Sequence, residues 1–371
     1  MKLPPNDAAA EPTTPAEPTA ASATLPGSEQ AIDDPGTAYA VAMAELRRLL
    51  AEWLKHEPGA RLGHDPEELH QLRVAARRID ATLGLFKRQL PPALVRARKT
   101  TKAVLRSLGA ARDLDVLLAD LAHYCARLPE NERAAAEPLR ARLDSDRTRA
   151  RTRMLRGLDS EATRHWLQTL TRAASEHAGP NGGDPALAVM PERVRRRFRK
   201  LRKSVGRLRP KSSMEDYHQV RRRAKQLRYA TECGAVMFGK PADDMLKVLR
   251  RLQDRLGAHQ DAYMAQSHLA SLAADPASGL PPATLFLMGR LAEHQGRVAA
   301  QARETLPRSW RKVRGKRWKA LRSKLGELRE RAGAVTDTSD AAEQQTPVGF
   351  SAADGTLAEQ PPEAESHPVK H

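Results

Sequence analysis

The chain has 371 residues, with 63 Lys and Arg against 45 Asp and Glu, a formal charge of +18 and only 4% aromatic residues. That length allows one large or two ordinary domains with a sizeable core. Two isolated cysteines, Cys125 and Cys233, rule out a disulfide framework or a CxxC metal site, and no stretch approaches the roughly 18 apolar residues of a membrane helix.

Residues 1–36 are rich in Ala, Pro, Thr and Glu and carry a net −5, a composition expected to stay disordered. Met1 to Pro5 contains one Lys and no apolar run, so a cytoplasmic, unexported protein is expected. The last stretch, 334–371, reads like the first and carries −6, which leaves +29 on the body at 37–333. A charge of that size repels itself in a compact fold unless a polyanion is near, so it points to phosphate-rich partners. The plainer alternative is a solvated basic surface. Few aromatics argue against base stacking, the usual route to single-stranded nucleic acid.

From Thr37 to Lys55 the residues Ala40, Met43, Leu46, Leu50, Trp53 and Leu54 recur at three and four, which predicts an amphipathic helix ending before a Pro58-Gly59 turn. Asp65-Pro66-Glu67-Glu68 then marks a helix start, with Asp65 as cap and Glu68 able to close a capping box. Leu69, Leu72, Ala76, Ile79, Leu83 and Phe86 form its packed seam. His70, Arg73, Arg77 and Arg88 fall beside that seam as a basic stripe, and Leu90-Pro91-Pro92 is expected to end the helix. Ala93 to Leu108 reads as one helix leading into Leu108-Gly109-Ala110-Ala111-Arg112-Asp113-Leu114-Asp115, with another running to Leu128-Pro129. Helical patterns continue over 131–158 and 160–177.

Gly179-Pro180-Asn181-Gly182-Gly183-Asp184-Pro185 divides the body into a first unit at about 37–178, a linker at 179–187 and a second unit at 188–333. Met190 to Leu208 crowds cations, Arg196, Arg197, Lys200 and Arg207 among them, around a buried stripe of Val194, Phe198, Leu201, Val205 and Leu208. A Ser213-x-x-Asp216 cap precedes a second copy of the first pattern. Tyr217, Val220, Ala224 and Leu227 repeat the seam, and His218, Arg221, Lys225 and Arg228 repeat and extend the stripe, beside Arg222. His218 follows His70 by 148 residues, Gly257 follows Gly109 by 148, and Asp261 follows Asp113 by 148. One offset held across two motifs means duplication of a helical unit. Helices continue over 242–274, 282–302 and 309–331, and no stretch alternates with the period of a strand.

The segments Asp65 to Arg78, Leu108 to Val116, and His218 to Tyr229 together resemble the conserved histidine alpha-helical domain (CHAD) family, over about 37–332. The resemblance implies an all-α fold of two pseudo-symmetric four-helix units and a basic surface that binds inorganic polyphosphate. It further implies association with polyphosphate granules for some members, and a fused triphosphatase domain for others. No Glu-x-Glu-x-Lys signature occurs here, so non-enzymatic binding is expected, with no cofactor. Nucleic-acid binding through the same surface is the alternative, and polyphosphate processing a more distant one. Asp80 and Gly84 stand where the family more usually has basic residues, which predicts weaker binding by the first unit than by the second, where Arg228 matches Asp80.

His70 and His218 admit three readings: structural residues beside a seam, direct phosphate contacts, or metal ligands. The last is weakest. His-x-x-x-His spacing occurs only at His367 and His371, interrupted by Pro368, so no metal site is expected. Asp113 and Asp261 read as orienting an arginine or capping a helix, since no nucleophile or base is seen to converge with them.

Overall fold

A computed structural model describes residues 36–176, 183–209 and 211–343, with side chains through 333. Among the described residues twelve α-helices follow one another: α1 (Ala38–Leu62), α2 (Pro66–Leu85), α3 (Pro92–Cys125), the short α4 (Glu130–Arg133), α5 (Glu137–Leu158), α6 (Glu161–Ser175), α7 (Ala186–Val205), α8 (Met214–Cys233), the short α9 (Ala235–Phe238), α10 (Lys240–Ala273), α11 (Pro282–Lys312) and α12 (Trp318–Glu343). Among the described residues there is no strand, only one isolated bridge between Thr37 and Pro185. The fold is all-α, as expected. The chain forms one compact unit through Ala332 and a small second unit from Gly333, whose described part is the end of α12.

Duplication is visible in the helix ends themselves. Both termini of α8 lie 148 residues after those of α2, and both termini of α10 lie 148 after those of α3. The starts of α1 and α7 share the offset and pair with each other: the Ala38 amide donates to Asp184 O at 2.9 Å and the Ala186 amide donates to Gly36 O at 2.9 Å. In each half the first three helices, α1-α2-α3 and α7-α8-α10, pack in succession, and α2 meets α8 across the halves. The seams predicted for α2 and α8 are buried: Leu72, Ala76, Ile79, Leu83 and Phe86 are at 0% exposure, as are Val220, Ala224 and Leu227. At about 1.5–3 kcal/mol per fully buried large apolar side chain, these seams contribute strongly to one core that contains residues of both halves. A smaller cluster, including Leu121, Leu139, Leu143, Leu269 and Leu291, joins the far ends of α3, α5, α10 and α11. Both cysteines are free.

Several boundaries differ from the sequence reading. Helix α1 does not stop at Pro58-Gly59 but runs through them to Gly63, whose φ of +77° supplies the left-handed cap, its amide donating to Gly59 O. Glu68 closes no capping box; it leans over Gly59, where an added Cβ would lie 2.6 Å from its Cγ, and pairs with His56 Nδ1 at 2.9 Å. Asp65 does cap, accepting from the Glu67 amide at 2.8 Å. The Ser213–Asp216 capping box of α8 forms in full. Helix α3 is one 34-residue helix with Gly109 inside it. Of the linker at 179–187, residues 179–182 lie outside the described residues, as do 1–35 of the first tail and 344–371 of the second, whose start at 334–343 is not irregular as expected but continues α12.

Candidate functional site

The two basic stripes meet where α2, α3, α8 and α10 come together. Arg73 and Arg221, equivalent residues of the two repeats, lie close enough for each to bear on the other's charge. Each lies over a glycine of the long helix beside it. A Cβ on Gly109 would lie 2.8 Å from Arg73 Nη1, and one on Gly257 would lie 3.6 Å from Arg221 Nη2. At Gly109 a side chain would take the place of the Arg73 guanidinium, which accounts for a glycine inside α3, whereas at Gly257 a Cβ would make only an ordinary contact with Arg221. Arg73 also donates to Leu105 O at 3.0 Å.

Burial brings the Arg73 guanidinium down to about 10, with Arg77, Arg221 and Arg112 pushing the same way and Asp113 opposing them. It stays charged at neutral pH, in a setting richer in cations than in anions. Asp113 and Asp261 sit on the same axis. Asp261 lies 4.0 Å from Arg221, and the Asp113 carboxyl is raised above its ordinary range, first by the protein crowding it and further by Asp261, against the pull of Arg73 and Arg221. Asp120, accepting from Gln295 at 3.3 Å, is pushed up to about 6 by burial and by Asp261. Asp113 and Asp261 stand against arginines, whereas Asp120 faces Asp261 and is held by Gln295. Among the described residues no group of three or more His, Cys, Asp or Glu is arranged to hold a metal.

The predicted residues divide. His70 is buried at 7% exposure, Arg73 and Arg77 are half-buried on α2, and Arg221 and Lys225 are half-buried on α8. The His218 Nδ1 lies 3.1 Å from Gln260 Oε1, so the Gln260 that replaces Arg112 in the repeat holds this imidazole. Arg222 is exposed and folds back on Gln219. Arg228 is buried at 9%, 3.6 Å from Glu232 and over the Tyr229 ring, while Arg78 reaches the same Glu232 from α2 at 3.6 Å. Arg88 falls outside the stripe because α2 ends at Leu85: Phe86 turns inward, fully buried, and Lys87 to Gln89 form a turn.

A second basic group gathers on α7. Arg197 is brought down to about 10 by burial, then by Arg193, Arg98 and Arg196. Lys200 is lowered by partial burial and by Arg196, Arg223 and Arg197. Arg193 stacks on Phe86 at 5.2 Å, donates to Gln89 and bears on Arg88, so Arg88 joins this group. Arg207 lies past the end of α7, exposed.

Arg98, Arg112, Arg193 and Arg223 were not among the predicted site residues. Arg98 could have been found. It pairs with Asp80 at 2.8 Å, and its guanidinium fills the space over Gly84, where a Cβ would lie 2.8 Å away. An acid and a glycine interrupting a basic stripe make room and a partner for a cation from the next helix. At the first stripe Asp80 is thus paired with Arg98 from α3, and at the second Arg228 is engaged with Glu232.

Duplicated helices bring equivalent arginines of the two repeats together in an all-helical fold. Residues 44–270 match the CHAD domain, and the chain belongs to that family, for which polyphosphate binding is a general property. Two Mycobacterium tuberculosis proteins, called uncharacterized protein MT2285 and uncharacterized protein Rv2226, are each 27% identical over 264 residues, covering 67% of this chain and 48% of theirs. The chain thus spans about half the length of these relatives. Among solved structures it is similar to PptA from Streptomyces chartreusis (TM-score 0.59, 23% identity, 74% of this chain and 99% of that one). It is also similar to the CHAD domain from the plant Ricinus communis (TM-score 0.55, 24% identity, 80% and 94%). Both likenesses concern the fold. Among the described residues no helix is long and apolar enough to cross a membrane.

Proposed function

We propose that this chain binds inorganic polyphosphate along the facing α2 and α8 stripes, without turning it over, and that it acts where polyphosphate accumulates, as in granules. The observation that carries the reading is the meeting of Arg73 and Arg221 at the axis between the repeats, each over a glycine, in a neighbourhood with more cations than acids. A condensed phosphate chain presents closely spaced charges and no bases. Arginine forks can each take two phosphate oxygens, and Lys225 adds a mobile point charge.

The test is competition binding between long-chain polyphosphate, duplex DNA and tripolyphosphate over a range of salt, with Arg221→Ala plus Lys225→Ala beside wild type. Preference for polyphosphate over DNA at equal charge, lost in the double variant, is expected. Equal affinity for DNA favours the nucleic-acid alternative, and a double variant that binds as tightly as wild type rejects the site. Phosphate released during incubation with Mg²⁺ would reject the non-enzymatic part.

A further inference from the structure

Helix α7 carries cations on two sides. Arg193, Arg196, Arg197 and Lys200 face α2, α3 and α8, as described above. Arg195, Arg199 and Arg202, spaced four and three, project on the opposite side at 100° per residue. There they meet α12 across a groove of about 400 Å³ whose far wall carries Arg322. The groove has a rigid floor: Phe198 and Trp318 stack at 3.6 Å with an interplanar angle of 4°, and Trp310 extends the stack at 5.9 Å.

The arginines of this groove are poorly matched by protein acids. Arg195 reaches the Arg322 carbonyl at 3.4 Å over Gly326, while its Nε is buried with no hydrogen-bond partner. Arg199 is paired at 2.8 Å with Glu192, both largely in solvent, a pairing worth little. Among the described residues neither Arg202 nor Arg322 has a carboxylate within ion-pair distance. Four guanidinium groups around a flat aromatic floor form a concave positive site that would take an anion with several oxygens per charge.

We propose that this groove between α7 and α12 is a second binding site for condensed phosphate, separate from the axis between the repeats and on the other side of α7. Resting on the reading that α2 and α8 hold polyphosphate, it makes α7 a post around which a long chain bends, engaging both sites at once. Linked occupancy multiplies affinity for long chains without strengthening either site for short ones.

The experiment is calorimetric titration of the full chain at low salt with tripolyphosphate, which is too short to reach both sites, and separately with long-chain polyphosphate. Wild type is expected to take up two equivalents of tripolyphosphate. Arg199→Ala plus Arg322→Ala takes up one, keeps its thermal unfolding midpoint, and loses about tenfold or more in affinity for the long chain. Arg73→Ala plus Arg221→Ala also takes up one, at the remaining groove. The proposal is overturned if the groove variant still takes up two equivalents, or if wild type takes up only one and the axis variant abolishes it. If the axis variant is unchanged while the groove variant loses its equivalent, the α2–α8 reading fails and the groove stands.

Discussion

Gly109→Ala and Gly257→Ala are the same substitution at equivalent places in two repeats, yet the structure predicts different results. Replacing a mid-helix glycine by alanine gains about 0.8–1.0 kcal/mol of helix propensity where the methyl group fits. At Gly257 it fits, since the new Cβ meets Arg221 Nη2 at 3.6 Å, an ordinary contact. At Gly109 the Cβ would lie 2.8 Å from Arg73 Nη1, so the guanidinium must swing away and give up its 3.0 Å bond to Leu105 O. A hydrogen bond from a charged donor contributes about 1.5–3 kcal/mol where it is shielded and less where water can replace it, so about 1 kcal/mol is a fair loss at half-buried Arg73. Gly257→Ala should therefore stabilise by about 0.5–1 kcal/mol, while Gly109→Ala should be near neutral. The assays are chemical unfolding and polyphosphate titration. Affinity should fall several-fold in Gly109→Ala, where a site arginine has moved, and hold in Gly257→Ala. Equal effects of the two substitutions on both stability and affinity would refute the idea that Arg73 is seated by the glycine.

Acidification should tighten polyphosphate binding. Asp120, held at about 6, loses charge as pH falls from about 7.5 to about 5.5, and Asp113, raised by burial and by Asp261, gives up its charge sooner on acidification than an ordinary carboxylate, leaving the arginines around Asp113 less compensated. Asp120→Asn should remove part of that rise in a titration series, and a flat wild-type profile would contradict it. Stability should also respond through His259, which burial, then Arg303, hold at about 4, packed on Tyr217 at 4.4 Å. The unfolded chain binds this proton from about 6.5 downward and the folded chain does not until about 4, so stability is lost as pH falls through that window, by on the order of 2–3 kcal/mol. His259→Phe should flatten that segment of the unfolding free energy against pH; an unchanged slope would exclude His259 as its source. In the core, Leu72→Ala, at 0% exposure on α2, should cost about 2–5 kcal/mol in chemical unfolding, and a cost below about 1 would mean the seam repacks.

The sequence was most informative where one constraint repeated. Seam spacing and the 148-residue offset located α2, α8, α3 and α10, because apolar periodicity and duplication leave marks on every turn. It misled where a local breaker was overruled by a side chain from elsewhere. Pro58-Gly59 reads as a turn, but Gly63 offers a better cap five residues on, and Glu68 occupies the space over Gly59. Gly109 reads as a boundary, but Arg73 fills its place. The site was half legible for the same reason. Stripes on single helices could be read, whereas the pairing of Asp80 with Arg98 from α3, and the engagement of Glu232 by Arg228 and by Arg78 from α2, depend on contacts that spacing does not encode. Arg88 was assigned by continuing a helical wheel past Leu85, where Phe86 turns the chain inward.

The central claim is that Arg73 and Arg221 together neutralise phosphate at the axis between the repeats. It is tested most directly by the salt dependence of long-chain polyphosphate affinity in wild type and in Arg73→Ala plus Arg221→Ala. Each cation neutralising a flexible polyanion releases counterions worth about 0.7 in the slope of log K against log salt. The double variant should be shallower than wild type by about 1.4, with weaker binding at every salt concentration. Parallel slopes would mean that these two arginines do not touch the phosphate chain.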